Sequence, residues 1–125
     1  MDPEKFSKGR VLSFRYAITG IITALKEEPN LKFHFLAGVV VIIVSLFLKI
    51  SKPDFIIIIF LIGFVISVEL TNTAIEAVVD KFTDKEHPGA KLAKDISAGA
   101  VLIAAITSTA VGTLIFLPYL SRWAI

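Results

Sequence analysis

Cysteine is absent from the 125 residues of this chain, and tryptophan and methionine occur once each. Without cysteine, the chain can form neither a disulfide framework nor a thiolate metal site. Every glycine stands alone, so neither a phosphate-binding loop ending in Gly-Lys-Ser/Thr nor a glycine-rich kinase loop can be assembled. Any nucleotide site must therefore be built differently.

The chain also lacks the features of a signal peptide. Residues 1–10 are polar, and neither a long apolar run nor a small-residue cleavage site follows them directly. We therefore expect the apolar segments to remain in the mature protein. Hydrophobic residues make up 55% of the chain, against roughly 45 to 50% in soluble domains, and the mean hydropathy is +0.79. This composition predicts a single small integral-membrane domain over residues 1–125.

Long apolar runs dominate the rest of the sequence, and they cover residues 35–48, 55–68 and 96–120. The first two are short for a hydrocarbon core of ~30 Å, which needs about 20 helical residues, so their flanks must continue the helices. Pro53 suits the start of the second helix. The predicted transmembrane helices are about 32–50, about 53–80 with a cytoplasmic extension, and about 92–120.

An amphipathic helix is predicted ahead of these spans, over about residues 8–28. Apolar side chains recur there at helical spacing, while charged side chains occupy the other faces, as in a helix lying on a membrane surface. Pro29 disfavours helix at Glu28 and ends it. The predicted fold is therefore an all-α membrane protein with one surface helix and three transmembrane helices.

Basic residues cluster before the first span and between the second and third spans. By the positive-inside tendency, the N-terminus and the loop over 80–95 are cytoplasmic, and three spans then put the C-terminus outside. The basic residues flank apolar spans, as they would beside anionic lipid headgroups. They form no separate basic domain, so we expect no nucleic-acid partner.

Acidic side chains are the main candidates for chemistry. Glu69, Asn72, Glu76 and Asp80 share one helical face where an apolar span meets water. Carboxylates are costly there unless they have a function. Hard oxygen ligands suit Mg²⁺ and its bound phosphates, and nearby basic groups such as Lys94 can meet phosphate charge. This chemistry indicates phosphoryl transfer, while an ion or proton pathway lined by the same acids remains open.

The run from Glu69 to Asp80 resembles the signature of a known family, the small prokaryotic diacylglycerol kinases together with the undecaprenol kinases of Gram-positive bacteria. Its fixed positions are Glu69, Asn72, Thr73, Ala74, Ile75, Glu76, Val79 and Asp80. Further matching positions are Tyr16, Gly20, Glu28, Ala93, Lys94 and Asp95. The resemblance therefore covers nearly the whole chain.

The resemblance implies a homotrimeric bundle in the bacterial cell membrane that transfers the γ-phosphate of ATP, with Mg²⁺, to a lipid hydroxyl at the cytoplasmic surface. Glu69 would be the general base and Asn72 would orient the centre. Glu28 and Glu76 would be the metal ligands, with Asp80 in support. The implied nucleotide-binding residues are Arg10, Tyr16, Glu28, Glu76, Glu86, His87, Lys94 and Asp95.

Two features bear on the lipid. The segment 26–34 is closer to the undecaprenol kinases, and the tryptophans found around the lipid site of the Gram-negative diacylglycerol kinases are lacking. We therefore favour undecaprenol as the substrate, with diacylglycerol as the alternative. A small three-span subunit has little room for ATP and lipid together, so a site shared between subunits is expected.

Overall fold

The computed structural model describes residues 3–123, and all regular secondary structure in that range is α-helical. Residues 1, 2, 124 and 125, which the single-domain prediction includes, lie outside the described residues. The helices are α1 (Pro3–Glu27), α2 (Pro29–Phe47), α3 (Lys52–Phe82) and α4 (Pro88–Ser121).

Proline marks the start of α2, α3 and α4, as expected for a residue that has no backbone N–H to satisfy. Glu28 is extended, with φ −106° and ψ 108°, because Pro29 excludes the helical conformation before it. At the other end of α2, Lys49 adopts a left-handed conformation with φ 51° and reverses the chain. Ser51 then caps α3 by accepting a hydrogen bond from the Asp54 N–H at 3.3 Å.

Three of the helices, α2, α3 and α4, are long and apolar enough to cross a membrane. Most of their apolar side chains are exposed in the single chain, as expected for surfaces that face lipid or other membrane helices. This pattern fits the membrane protein predicted from composition. At ~1.5 Å per residue, the 31 residues of α3 extend about 46 Å, so this helix projects beyond a core of ~30 Å.

The core is small and lies where α3 packs between α2 and α4. Its buried apolar residues are Leu31, Ile58, Leu61, Val65 and Ala104. Helices α2 and α3 approach closely at Gly38, where an added Cβ would lie 2.8 Å from Ile62 Cγ2. The buried polar residues are Ser45, Glu69, Asn72 and Ser97. Buried polar groups need partners: Ser97 and Asn72 are hydrogen-bonded to each other, and the Ser45 hydroxyl donates to a carbonyl of its own helix.

A second polar contact joins the opposite end of α4 to the start of α3. The Tyr119 hydroxyl donates to Asp54 Oδ2 at 2.6 Å and accepts from the Ser51 N–H at 2.9 Å. The Arg122 guanidinium lies 5.5 Å from the centre of the Tyr119 ring. This contact fixes α4 against α3 at the end remote from Glu69.

Candidate active site

Glu69 is the most deeply buried carboxylate in the described part of the chain, with 3% of its surface exposed. It lies about 26 Å along α3 from Lys52, close to the end of a hydrocarbon core of ~30 Å. Its Oε2 atom has no hydrogen-bond partner among the described residues of the chain. A buried carboxylate oxygen without a donor is unfavourable, so this atom is set up to bind a group that the protein alone does not supply.

Two further carboxylates, Glu28 and Glu76, lie close enough to Glu69 to repel it electrostatically. Glu28 sits at the joint between α1 and α2, is half-buried, and makes no capping hydrogen bond with its side chain. Glu76 follows Glu69 by two turns of α3, about 10 Å further along the helix. Glu28, Glu69 and Glu76 therefore form an acidic cluster whose charges interact, although the described residues contain no group of three or more acidic or histidine side chains that could hold a metal ion.

Asn72 lies between Glu69 and Glu76 on α3 and is held from α4. The Ser97 hydroxyl donates to Asn72 Oδ1 at 2.7 Å, and both residues are buried. The Asn72 amide in turn points its Nδ2 at Glu76 Oε1, at 3.4 Å. Because Oδ1 is occupied by Ser97, the NH₂ group of Asn72 is directed toward the acidic side of the site.

Five of the predicted nucleotide or supporting residues line a polar cleft of about 820 Å³ at the junction of α3 and α4. These residues are Asp80, Glu86, His87, Lys94 and Asp95. Lys94 Nζ donates a hydrogen bond to Asp80 Oδ1 at 2.8 Å, and Lys91 Nζ donates one to Asp95 Oδ2 at 2.6 Å. Lys85 also lines the cleft, which therefore presents three ammonium groups, two of them held by aspartates.

His87 in this cleft also caps α4. Its Nδ1 accepts hydrogen bonds from the Gly89 and Ala90 N–H groups at 3.0 and 3.4 Å. A ring nitrogen that accepts must be unprotonated, so the neutral side chain carries its proton on Nε2. Only Nε2 can then donate to a ligand in the cleft.

The fold does not bring Arg10 and Tyr16 to either of the cavities described here. Both residues are exposed on α1, and 70% of the Tyr16 surface is accessible. Neither belongs to the lining of the polar cleft or of the apolar cavity described next. Within a single chain, these two predicted nucleotide residues therefore lie outside the polar cleft.

An apolar cavity of about 490 Å³ lies between α2, α3 and α4, on the membrane side of Glu69. Its walls include Phe33, Val41, Ile58, Val65 and Phe116, and its polar lining includes His34. His34 Nε2 is 4.0 Å from Glu69 Oε2. Glu69, the candidate general base, is therefore close both to the apolar cavity and to the acidic cluster.

Two residues of this site, His34 and Ser97, were not among the sequence-predicted residues. An ionisable residue within a membrane span is by itself a signal for function, and His34 carries that signal. Ser97 carries none, because its importance depends on the packing of α4 against Asn72. Which side chains meet between two helices depends on how each helix is rotated about its axis. The periodicity of one segment does not determine that rotation.

Comparison with known proteins agrees with the resemblance seen in the sequence. The family model of the prokaryotic diacylglycerol kinases matches residues 15–116. The undecaprenol kinase of Bacillus subtilis is 47% identical over 108 residues, covering 86% of this chain and 88% of that protein. The diacylglycerol kinase of Synechocystis is 39% identical over 109 residues, covering 86% of this chain and 62% of that protein. The diacylglycerol kinase of Pseudomonas aeruginosa is 34% identical over 89 residues, covering 71% and 72%.

These relatives are kinases, and an ion or proton pathway is not needed to explain the acids on α3. The site geometry, the three apolar helices and the family match agree with each other. The chain belongs to the prokaryotic diacylglycerol kinase family and is a membrane lipid kinase.

Proposed function

We propose that this protein transfers the γ-phosphate of ATP to the hydroxyl of undecaprenol, with Glu69 as general base. The observation that carries the proposal is the position of Glu69. Its buried carboxylate lies at the membrane end of the acidic cluster and 4.0 Å from His34, which lines the apolar cavity. Its Oε2 has no hydrogen-bond partner among the described residues. A base in that position can accept the proton of a hydroxyl held at headgroup depth.

The residues present fit a magnesium site. Mg²⁺ typically takes one or two protein carboxylates and completes its shell with water and phosphate oxygens. Glu28 and Glu76 would supply these ligands, and water and phosphate oxygens would complete the shell, because the described residues contain no group of three or more acidic or histidine side chains that could hold the ion. The ion would neutralise charge on the transferring phosphoryl group. Asn72, held by Ser97, would orient Glu76.

The polar cleft is the proposed place of the nucleotide. Its volume and its lysines suit a polyphosphate, and Glu86, His87 and Asp95 provide further polar contacts. Asp80 would hold Lys94 in position through their 2.8 Å ion pair. In phosphoryl transfer, the hydroxyl oxygen of the lipid then attacks the γ-phosphorus of ATP, Glu69 takes the hydroxyl proton, and ADP leaves.

The nucleotide assignment is tested by Lys94→Gln, with Lys81→Gln as the matched control. Both changes remove one positive charge near the α3–α4 junction, but Lys81 does not line the cleft. We expect Lys94→Gln to raise KM for MgATP about tenfold, because a charge-assisted contact to phosphate is lost. Equal KM values in the two variants would remove Lys94 from the site.

Undecaprenol is favoured over diacylglycerol by the 47% identity to a named undecaprenol kinase and by the segment 26–34. Diacylglycerol is the second candidate, because other relatives carry that name. The test is transfer of radiolabel from γ-labelled ATP to each lipid, offered side by side to the purified protein in mixed micelles. We expect a higher kcat/KM for undecaprenol, and a higher value for diacylglycerol would reverse the assignment.

A homotrimer with sites shared between subunits is part of the proposal. The apolar side chains exposed on α1 and the separation of Arg10 and Tyr16 from the polar cleft of their own chain support it. In an assembly, α1 of one subunit can approach the cleft of another. Chains that carry Glu69→Gln should then be rescued by chains that carry Arg10→Ala and Tyr16→Ala, because a mixed oligomer can pair an intact α1 with an intact cleft. No recovery of activity in mixed oligomers would contradict sharing.

The proposed orientation puts the N-terminus and the active site in the cytoplasm and the C-terminus outside the bacterial cell membrane. The distribution of Lys and Arg among the loops supports it. It also gives the polar cleft access to cytoplasmic ATP. The test is a Lys85→Cys variant treated with a membrane-impermeant thiol reagent. The introduced cysteine should stay unlabelled in intact cells and become labelled once the cells are opened.

A further inference from the structure

The His34 and Glu69 side chains are spaced so that one oxygen atom, lying to one side of the line between them, can hydrogen-bond to both. Their Nε2 and Oε2 atoms are 4.0 Å apart, which is too long for a direct hydrogen bond. A single oxygen placed about 2.8 Å from each atom would bridge them. Glu69 Oε2 is buried and has no hydrogen-bond partner among the described residues, so a bridging group would satisfy it.

His34 also belongs to the lining of the apolar cavity, whose walls are otherwise mainly aliphatic and aromatic. Only 21% of its side chain is exposed. A lipid alcohol with its chain in this cavity would bring its hydroxyl to the end where His34 and Glu69 meet. The same oxygen would then bridge the two side chains and lie beside Glu69.

We infer that His34 is a catalytic residue that orients the acceptor hydroxyl. Its Nε2–H donates to one lone pair of the hydroxyl oxygen, while the hydroxyl donates its own proton to Glu69 Oε2. The remaining lone pair attacks the γ-phosphorus of ATP, the proton passes to Glu69, and the bond from phosphorus to the ADP oxygen breaks. This inference rests on the proposed function, because it assumes Glu69 as the base and a lipid alcohol as the acceptor.

Two substitutions of His34 distinguish a hydrogen-bonding role toward the hydroxyl from a role in packing the cavity wall. Glutamine places an N–H donor near the position of the imidazole Nε2, whereas leucine fills similar space without a donor. His34→Leu should lower kcat/KM for the lipid about 30-fold or more, with KM for MgATP within about threefold of wild type. His34→Gln should retain lipid kcat/KM within about fivefold of wild type, and both variants should remain folded and assembled.

The outcomes are distinguishable. If the wild type labels neither lipid alcohol, the proposed function fails before His34 is considered. If the wild type is active and His34→Leu stays within about threefold of it, the inference alone is overturned. It is also overturned if glutamine fails to rescue, or if KM for MgATP rises together with the loss. A loss of assembly in both variants would indicate that the cavity receives a helix of a second copy, and it would overturn the inference as well.

Discussion

Removal of the Ser97 hydroxyl should weaken both the fold and the nucleotide site. Ser97 is 7% exposed and donates to Asn72 Oδ1 at 2.7 Å, and Asn72 is itself 8% exposed. In Ser97→Ala the amide oxygen stays buried and loses this donor, which costs about 1 to 3 kcal/mol. Since Asn72 also faces Glu76 Oε1, a proposed metal ligand, we expect the amide to move and KM for MgATP to rise about fivefold or more.

Ser45→Ala is the matched control for this experiment. Ser45 is 1% exposed, and its hydroxyl also donates at 2.7 Å, but to the Val41 carbonyl within its own helix. Such a bond back to the preceding turn adds little to helix stability, so its loss should cost less than about 1 kcal/mol. Ser45 lies in α2, outside the polar cleft, so KM for MgATP should not change.

The assay has two parts. Denaturant unfolding of each variant in micelles gives the change in free energy of unfolding, and steady-state kinetics gives kcat and KM for MgATP. We expect Ser97→Ala to lose more stability than Ser45→Ala and to be the only one of the two with a raised KM. If the two alanine variants are indistinguishable in both measurements, the hydrogen bond from Ser97 to Asn72 does not organise the site.

The other predictions concern the helix contacts. Gly38→Ala places a Cβ 2.8 Å from Ile62 Cγ2 and should lower the free energy of unfolding by about 1 to 3 kcal/mol. Gly63→Ala should not destabilise the chain, because a Cβ added there meets no described atom within 4 Å outside its own helix backbone. Tyr119→Phe loses a 2.6 Å bond to Asp54 and should cost about 1 to 3 kcal/mol without changing kcat, because it lies at the end remote from Glu69. Thermal or denaturant unfolding measures the stability of each variant, and the kinase assay measures its kcat. A destabilised Gly63→Ala variant or a reduced kcat in Tyr119→Phe would contradict these predictions.

The sequence was sufficient to predict the apolar helices and the acidic face of α3. Apolar runs of membrane length have few alternatives to helix in lipid, and proline at residues 29 and 53 limits where helices begin. Helical periodicity also put Glu69, Asn72 and Glu76 on one face. The family match confirms the lipid kinase resemblance that these residues carried.

Contacts between helices could not be predicted in the same way. The bonds from Ser97 to Asn72 and from Tyr119 to Asp54 join residues 25 and 65 positions apart. They depend on how each helix is rotated about its axis, and many rotations bury a similar apolar area. His34 meets Glu69 for the same reason, since the close approach of α2 and α3 decides which side chains meet.

The most direct test of the account is a comparison of wild type with Glu69→Gln in transfer of the γ-phosphate from labelled ATP to undecaprenol. Glutamine preserves the size of the side chain but cannot accept the hydroxyl proton at neutral pH. General-base catalysis typically contributes 10² to 10⁴-fold, so kcat should fall by about that factor, while MgATP binding stays within about threefold. A Glu69→Gln variant that phosphorylates undecaprenol within about threefold of the wild-type kcat would contradict the role of Glu69.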